Sequence, residues 1–494
     1  MSGEEDVPSK SRMYSWSGTR RLNEFHRGAR RVYCAVGTAA IVYACAPVPV
    51  APSPVVQAPN SSLEAAYRQI HRRIVPFLFI CAVFNYLDRI NIGFARLQFM
   101  RDLGLTEAAY GLAAGLFYLG YIACEVPSNL LLHRIGARKL FLRIMVLWGL
   151  VSAGMSLVTT AGQLYVLRMM LGAAEAGAFP GIVLYLTYWF PAQRRAHANA
   201  LFLMALPTAG VIGAPLSGWI MRTADGLYGL RGWQWMFIVE GIPAVILGLF
   251  AFVYLRDRPR DAAWLSAEEK QSLELELARQ PAATRHVGTF GRALLDRRVY
   301  ACAMAYFGVL TGANVLGFYT PTVIRRLGVE DVAIVGVLAA IPFLVALPAM
   351  YVLGRHSDRT HERRWHMAGA LLIAATCFIL FGTLGTSLVT TIALLAIAAA
   401  GIYGAMTVFW AIPPTYLSGG AAAGGIAFIS SCGATAGFIS PALIGWFTAR
   451  TGNVATGVAF MGGVMVLSAL ALLAGIPASA TESRHVAGQD ESGR

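Results

Sequence analysis

Apolar runs of about twenty positions, separated by short polar turns, dominate the chain from residue 74 onward. A helix needs roughly 20 apolar residues to cross the hydrocarbon core of a bilayer. Runs of that length fall at 74–95, 108–132, 140–159, 163–188, 198–221 and 234–255. A second set falls at 299–320, 332–353, 366–386, 390–412, 422–448 and 454–475. The pattern predicts an all-α membrane protein of twelve transmembrane helices in two six-helix bundles, at 68–255 and 299–475, with a polar connector at 256–298 between them. Two landmarks relate the halves: His133-Arg134 and Asp358-Arg359 are 225 residues apart, and Asp88 and Asn314 are 226 apart. Six-helix repeats that meet at a central site are what alternating access by rocking requires.

The connector opens with Asp257, Arg258, Pro259 and Arg260 and continues as a charged amphipathic stretch from Leu265 to Arg279. At the chain's ends, residues 1–67 and 476–494 are expected to be an extension and a tail. Residues 1–62 hold Arg-rich sequence to Arg31, an apolar stretch from Val32 to Ala46 and a Pro-rich run from Pro47 to Pro59. That apolar stretch is short for a span. A disordered extension, or a start codon assigned too far upstream, is expected there.

Composition agrees with the pattern, since 56% of the 494 residues are apolar and only 13% are charged. Too few charges remain to dress a water-facing surface. The net charge of +14 comes from arginines at the ends of apolar runs, which suits lipid headgroups and argues against nucleic acid. The loops after spans 2, 4 and 8, together with the connector, carry nineteen Lys and Arg against seven in the opposite loops. The excess places that side and both termini in the cytoplasm of a cell with the chain in its inner (plasma) membrane. Seven cysteines without a C-x-x-C pair read as small core residues, and no histidine falls in the interior of a span, His366 standing at the first position of its run, so no metal site is expected. None of the three lysines follows a glycine, which excludes a Walker A loop and ATP as the driving force.

Ionisable groups inside hydrocarbon cost roughly 2.5–3.5 kcal/mol each on insertion scales, so their placement carries information. Asp88 and Arg89 lie in span 1, Glu125 in span 2, Arg168 and Glu175 in span 4 and Glu240 in span 6, while the C-terminal spans hold none in their interiors. Arg168 and Glu175, seven residues apart, return to nearly the same helix face and can face one cavity. Arginines at that depth suit an anion, because a guanidinium fork matches a carboxylate and keeps its charge. An anion on the arginine would let Asp88 or Glu175 take up a proton. The competing readings are snorkelling for Arg168, a self-neutralising pair for Asp88-Arg89, and packing or gating for Glu125 and Glu240. In the neutral half, Asn314, Tyr319, Tyr403, Trp410, Tyr416, Ser430 and Ser431 offer hydrogen bonds and stacking. Gly177, Pro180 and Gly181 in span 4, and Pro413-Pro414 after span 10, can break helices near the site. Gly111/Gly115 and Gly433/Gly437 have the G-x-x-x-G spacing of close helix contacts.

Several motifs stand together. They are Asn85-Tyr86-Leu87-Asp88-Arg89 with Asn91-Ile92-Gly93, Glu125-Val126-Pro127-Ser128-Asn129 leading to Arg134-Ile135-Gly136-Ala137-Arg138, and Ala174-Glu175-Ala176-Gly177 with Phe179-Pro180-Gly181. Tyr188-Trp189-Phe190-Pro191, Gly232-Trp233-Gln234-Trp235 and Ser357-Asp358-Arg359 with Glu362-Arg363-Arg364-Trp365-His366 complete the set. Over roughly residues 68–475 the chain resembles the anion:cation symporter family of the major facilitator superfamily, and most of all its tartrate, phthalate and hydroxyphenylacetate permease branch.

The resemblance implies the major facilitator fold and proton symport of a small carboxylate. It implies that Arg89 and Arg168 contact the carboxylate, that Asp88 and Glu175 couple the proton, that Tyr121 lines the site, and that Arg134, Arg138, Asp358, Arg359 and Glu125 serve gating or structure. Two departures matter. His133 stands where the superfamily usually has Asp, and Ser430, Ser431, Cys432, Gly433 and Ala434 replace an amide-bearing stretch of the branch, so the substrate cannot be copied from it.

The expected function is therefore secondary active transport of a small organic anion, a hydroxy acid or an aromatic acid, by a monomer driven by a proton gradient without any cofactor. A non-transporting receptor for the same anion and an uncoupled facilitator are the alternatives. An enzyme ranks last, because Gly-x-Ser-x-Gly and His-Glu-x-x-His are both missing from the sequence.

Overall fold

In the computed structural model, which describes residues 61–278, 295–416 and 419–477, every long element is a helix. The helices are α1 (Ser61–Asp102), α2 (Glu107–Ile135), α3 (Ala137–Gly154), α4 (Ala161–Glu175), α5 (Ala178–Thr187), α6 (Ala192–Thr223), α7 (Gly232–Tyr254) and α8 (Ala267–Ala278). After the connector come α9 (Arg297–Arg326), α10 (Val332–Thr360), α11 (Arg364–Leu384), α12 (Leu388–Phe409), α13 (Gly419–Ala434), α14 (Ala436–Thr451) and α15 (Val454–Gly475). Short polar side chains start several of them by accepting an otherwise unpaired backbone N–H, as Thr160 does for α4, Asp331 for α10 and Asn453 for α15. The first helix begins at Ser61, so the end of the expected extension is part of α1, and residues 1–60 lie outside the described residues.

Eleven of the described helices are long and apolar enough to cross a membrane. Two crossings are divided: one of the eleven runs from the end of α13 through α14, each of 16 residues, and the fourth crossing, outside the eleven, is split into α4, of 15 residues, and α5, of 10. Together α4 and α5 make the twelfth. Gly177 forms the joint with φ +88°, a left-handed conformation that costs an L residue about 1–2 kcal/mol. A Cβ there would also come within 2.4 Å of Ser128 Oγ on α2. Gly177→Ala is expected to lower the apparent melting temperature in detergent by several degrees. Gly181→Ala, whose Cβ would meet its nearest neighbour at an ordinary 3.5 Å, is expected to leave it in place.

The halves meet along α1 with α9, α2 with α14 and α6 with α10. The approach is closest where side chains are absent. A Cβ on Gly111 would lie 2.3 Å from the Pro441 carbonyl oxygen of α14, and one on Gly115 would lie 2.8 Å from that of Phe438. The G-x-x-x-G spacing on α2 thus marks a helix contact across the two halves. On the connector side, α8 is fastened to α1 by the Gln69–Glu269 hydrogen bond at 2.9 Å, and Trp264 stacks on Trp189. The last turns of α12 give way to a short turn at Pro413–Thr415, as Pro413-Pro414 predict.

Candidate functional site

A cavity opens between the halves, walled by α1, α2, α3, α5 and α6 on one side and α9, α12 and α13 on the other. Asn85, Tyr86 and Arg89 reach it from α1, and Tyr118, Tyr121 and Glu125 from α2. The positions on α2 are spaced i, i+3 and i+7, which sets them on one helix face. Trp148 lines the cavity from α3, while Tyr306, Asn314 and Ser430 come from the C-terminal half.

Arg89 holds the centre of this wall. Its Nε donates to Glu175 Oε2 at 2.9 Å, and its guanidinium lies 5.2 Å over the Phe117 ring and 4.9 Å over that of Tyr121. Its Nη2 has no partner. Glu175 is fully buried at the last position of α4, beside the Gly177 joint, and receives a second hydrogen bond from Asn85 Nδ2 at 2.9 Å. Its other oxygen, Oε1, is unpartnered.

Arg168 and Glu175 share a buried face, as their spacing predicts, but neither lines the cavity: Glu175 meets it only through Asn85 and Arg89, and Arg168 is set apart from it. It turns toward α2, where Nε donates to the Ala113 carbonyl at 3.4 Å and the guanidinium lies 5.0 Å from the Phe117 ring. Phe117 therefore carries Arg89 and Arg168 together. Both terminal nitrogens of Arg168 are unpartnered. Asp88 is also buried away from the cavity, where it accepts hydrogen bonds from Asn91 Nδ2 at 2.8 Å, Ser152 Oγ at 2.5 Å and the Trp148 indole N–H. Three donors on one carboxylate tie α1 to α3. Glu240 accepts from Ser217 Oγ at 2.6 Å, within the N-terminal half.

In the opposing half Asn314 accepts from the Tyr118 hydroxyl at 2.7 Å, a bond that crosses the cavity between halves. Ser430 is on the wall, but Tyr319 and Trp410 are not. Tyr319 donates to the Pro441 carbonyl at 3.0 Å and meets Tyr110 edge-on at 5.8 Å. Trp410 sits behind Tyr306, with ring centroids 4.9 Å apart. Tyr86 and Tyr306 were not singled out as wall residues by the sequence pattern, and Glu125, expected as a packing or gating partner, faces the cavity.

Of the positions expected to serve gating, Arg138 is held by its backbone N–H to Asp257 Oδ1 at 3.1 Å and by its Nε to the Phe252 carbonyl at 2.8 Å. Asp358 pairs with Arg363 at 3.2 Å, Arg359 is exposed, and the Arg134 side chain lies outside the described residues. On the side opposite the connector, Glu107 of α2 accepts from Arg326 of α9 at 3.2 Å while its other oxygen pairs with Arg96. Arg222 and Asp331 pair at 2.7 Å, and the Tyr110 hydroxyl donates to the Phe318 carbonyl at 3.1 Å, so this side is tied shut across the halves. Such partly exposed pairs contribute about 0–1 kcal/mol each. Glu107→Gln is therefore expected to raise, by a few-fold, the labelling of a cysteine introduced at Asn314 by an impermeant thiol reagent supplied from that side.

The model of the Major Facilitator Superfamily matches residues 78–441. The chain belongs to that superfamily. A protein of Agrobacterium vitis named "Putative tartrate transporter" is 44% identical over 416 residues, covering 84% of this chain and 95% of its own. The Escherichia coli inner membrane transport protein RhmT is 39% identical over 382 residues, covering 77% and 88%. Among solved structures, a bacterial homolog of the human lysosomal transporter Spinster superposes with a TM-score of 0.64 at 15% identity, covering 86% and 97%. The twelve-helix fold and the family read from the motifs both hold. This transporter is a multi-pass membrane protein for a small molecule, and not an enzyme.

Proposed function

We propose that this transporter carries a small organic anion together with a proton by alternating access, with Arg89 as the anion's anchor and Glu175 as the group that takes the proton. The observation that carries the reading is the Arg89–Glu175 pair, 2.9 Å long, set beside a cavity with one arginine nitrogen left unpartnered. Around α1 and α4, the positive charges of Arg89 and Arg168 balance the negative charges of Asp88 and Glu175. An arriving carboxylate adds one negative charge in a place of low dielectric, and a proton on Glu175 restores the balance while freeing Arg89 to face the anion. Asp88 enters the same count, but its carboxylate is turned away from the cavity onto three donors, whereas Glu175 is paired with the cavity's own arginine and is the group we assign to change. Arg168 contributes field through Phe117 rather than contact.

The nineteen-to-seven excess of Lys and Arg supports a cytoplasmic connector side with both termini there, in a bacterial inner membrane, and a monomer suffices because one chain builds the cavity. The relative named for tartrate supports a carboxylate as cargo. Purified protein in liposomes tests the reading with a panel of hydroxy and aromatic acids. Uptake above equilibrium under an imposed inward proton gradient is expected. Flux that ignores the gradient would make the protein a facilitator, and binding without flux a receptor.

A further inference from the structure

We propose that the side tied shut across the halves carries a second anion site, at Arg326, and that a carboxylate arriving from that side opens it by taking Arg326 from Glu107, which then turns wholly to Arg96. Glu107 stands at the first position of α2 and is itself a carboxylate held by guanidinium groups of both halves. Its Oε1 accepts from Arg326 Nη2 of α9 at 3.2 Å, and its Oε2 accepts from Arg96 Nη2 of α1. The chain thus displays, with its own side chain, the kind of ligand that this place accepts. Two cations share one carboxylate in this triad, so one positive charge is left without a counter-charge. Arg96 is 3% exposed, and its Nη1 has no hydrogen-bond partner among the described residues. A buried cationic N–H without an acceptor costs free energy.

That spare nitrogen gives Glu107 a place to go. A guanidinium fork matches both oxygens of one carboxylate. When an anion takes Arg326, Oε1 of Glu107 can pass to Arg96 Nη1 without losing a hydrogen bond, and the charges then cancel in pairs. Glu107 and Arg96 belong to the N-terminal half and Arg326 to the C-terminal half, so the exchange removes a link between halves and makes one within a half. The Arg96 guanidinium lies 4.4 Å from the Tyr110 ring of α2 and 5.1 Å from the Tyr319 ring of α9, and Tyr110 can keep it in place as α9 moves off. The side chains of Arg326 and Glu107 are 40% and 25% exposed, so an anion in the water on that side reaches them first. A ligand shifts an equilibrium only as far as it binds one state better than the other. Here the anion binds the open state, in which Glu107 has let go of Arg326. Arg96 stands seven residues beyond Arg89 on α1, about 10 Å along the axis and on nearly the same face, so the opened side leads past it toward the cavity.

Distances between spin labels on the full chain test this, with cysteines introduced at Tyr228 and Val389, exposed positions of the two halves on that side, after the seven native cysteines are replaced. Sodium acetate is the probe, compared with sodium chloride at the same pH and ionic strength. Acetate is expected to raise the fraction of molecules at the longer, open distance by a few-fold, with saturation, and chloride to raise it less. In Glu107→Gln the open fraction should already be raised a few-fold and acetate should add nothing, because no carboxylate remains to be displaced; Arg326→Gln should behave likewise. An absent response to acetate, an equal response to chloride, which is charge screening alone, or a full response that persists in Glu107→Gln would each overturn the inference. Arg89→Lys separates this site from the cavity: the response to acetate should survive it. A response lost in Arg89→Lys would assign the effect to the cavity and overturn the outer site while leaving the Arg89 anchor standing.

Discussion

Replacing Arg89 with lysine is expected to weaken anion binding by about ten- to a hundred-fold while leaving the protein folded. Lysine keeps the positive charge that Glu175 requires, so the buried carboxylate stays compensated. It gives up the planar fork, which now places Nε on Glu175 and leaves Nη2 for the cargo. One ammonium on a flexible stem cannot serve both partners in that geometry, and a hydrogen bond to a charged group contributes about 1.5–3 kcal/mol. The stacking on Phe117 and Tyr121 is weakened as well. Arg89→Gln should be worse, because it strands Glu175 as an uncompensated buried charge, a loss of about 3–5 kcal/mol. Equilibrium binding for the first variant and yield of folded protein for the second would check both.

Glu175→Gln is expected to abolish accumulation driven by a proton gradient, bringing the concentration ratio across the liposome membrane to about one, while exchange of internal for external anion continues. Glutamine mimics the protonated acid in shape. It can still accept from Asn85, and it releases Arg89 to the cargo without a proton having arrived. The carrier would then be fixed in its loaded charge state and could shuttle anion for anion. Exchange lost together with accumulation would assign Glu175 to structure instead, and accumulation retained would move the coupling elsewhere. Arg168 should be the gentler position of the two arginines, since it reaches the site through the Phe117 ring.

Much of the architecture could be read in the chain. Twelve runs of sufficient length, the glycines of α2 and the prolines after α12 each state a local physical requirement, and each element follows it. The joint at Gly177 was legible for the same reason, as a glycine amid small residues in a span otherwise long enough to be continuous. The site was legible only in part. Periodicity fixed the common face of Arg168 and Glu175, but a helix face has several neighbours, and nothing in one sequence says that α4 turns Arg168 to α2 and sets Glu175 at the cavity's edge. On α9, Tyr306 and Asn314 share a face, whereas Tyr319, thirteen positions from Tyr306, is rotated by roughly 220° and points to the closed side. The aromatic wall residues stayed hidden because Tyr86 and Tyr306 in an apolar run look like any packed ring. Glu125, expected as a packing or gating partner from its closeness to the predicted end of span 2, stands on the face of Tyr118 and Tyr121, where its spacing from them sets it.

Proton uptake on binding tests the central claim most directly. Purified protein in weakly buffered solution with a pH indicator would receive, near pH 7, the acid of the liposome panel that it binds. The account predicts about one proton taken from solution per anion bound, and none in Glu175→Gln although the anion still binds. Anion binding with no proton uptake in the unaltered protein, or with undiminished uptake in Glu175→Gln, would contradict it.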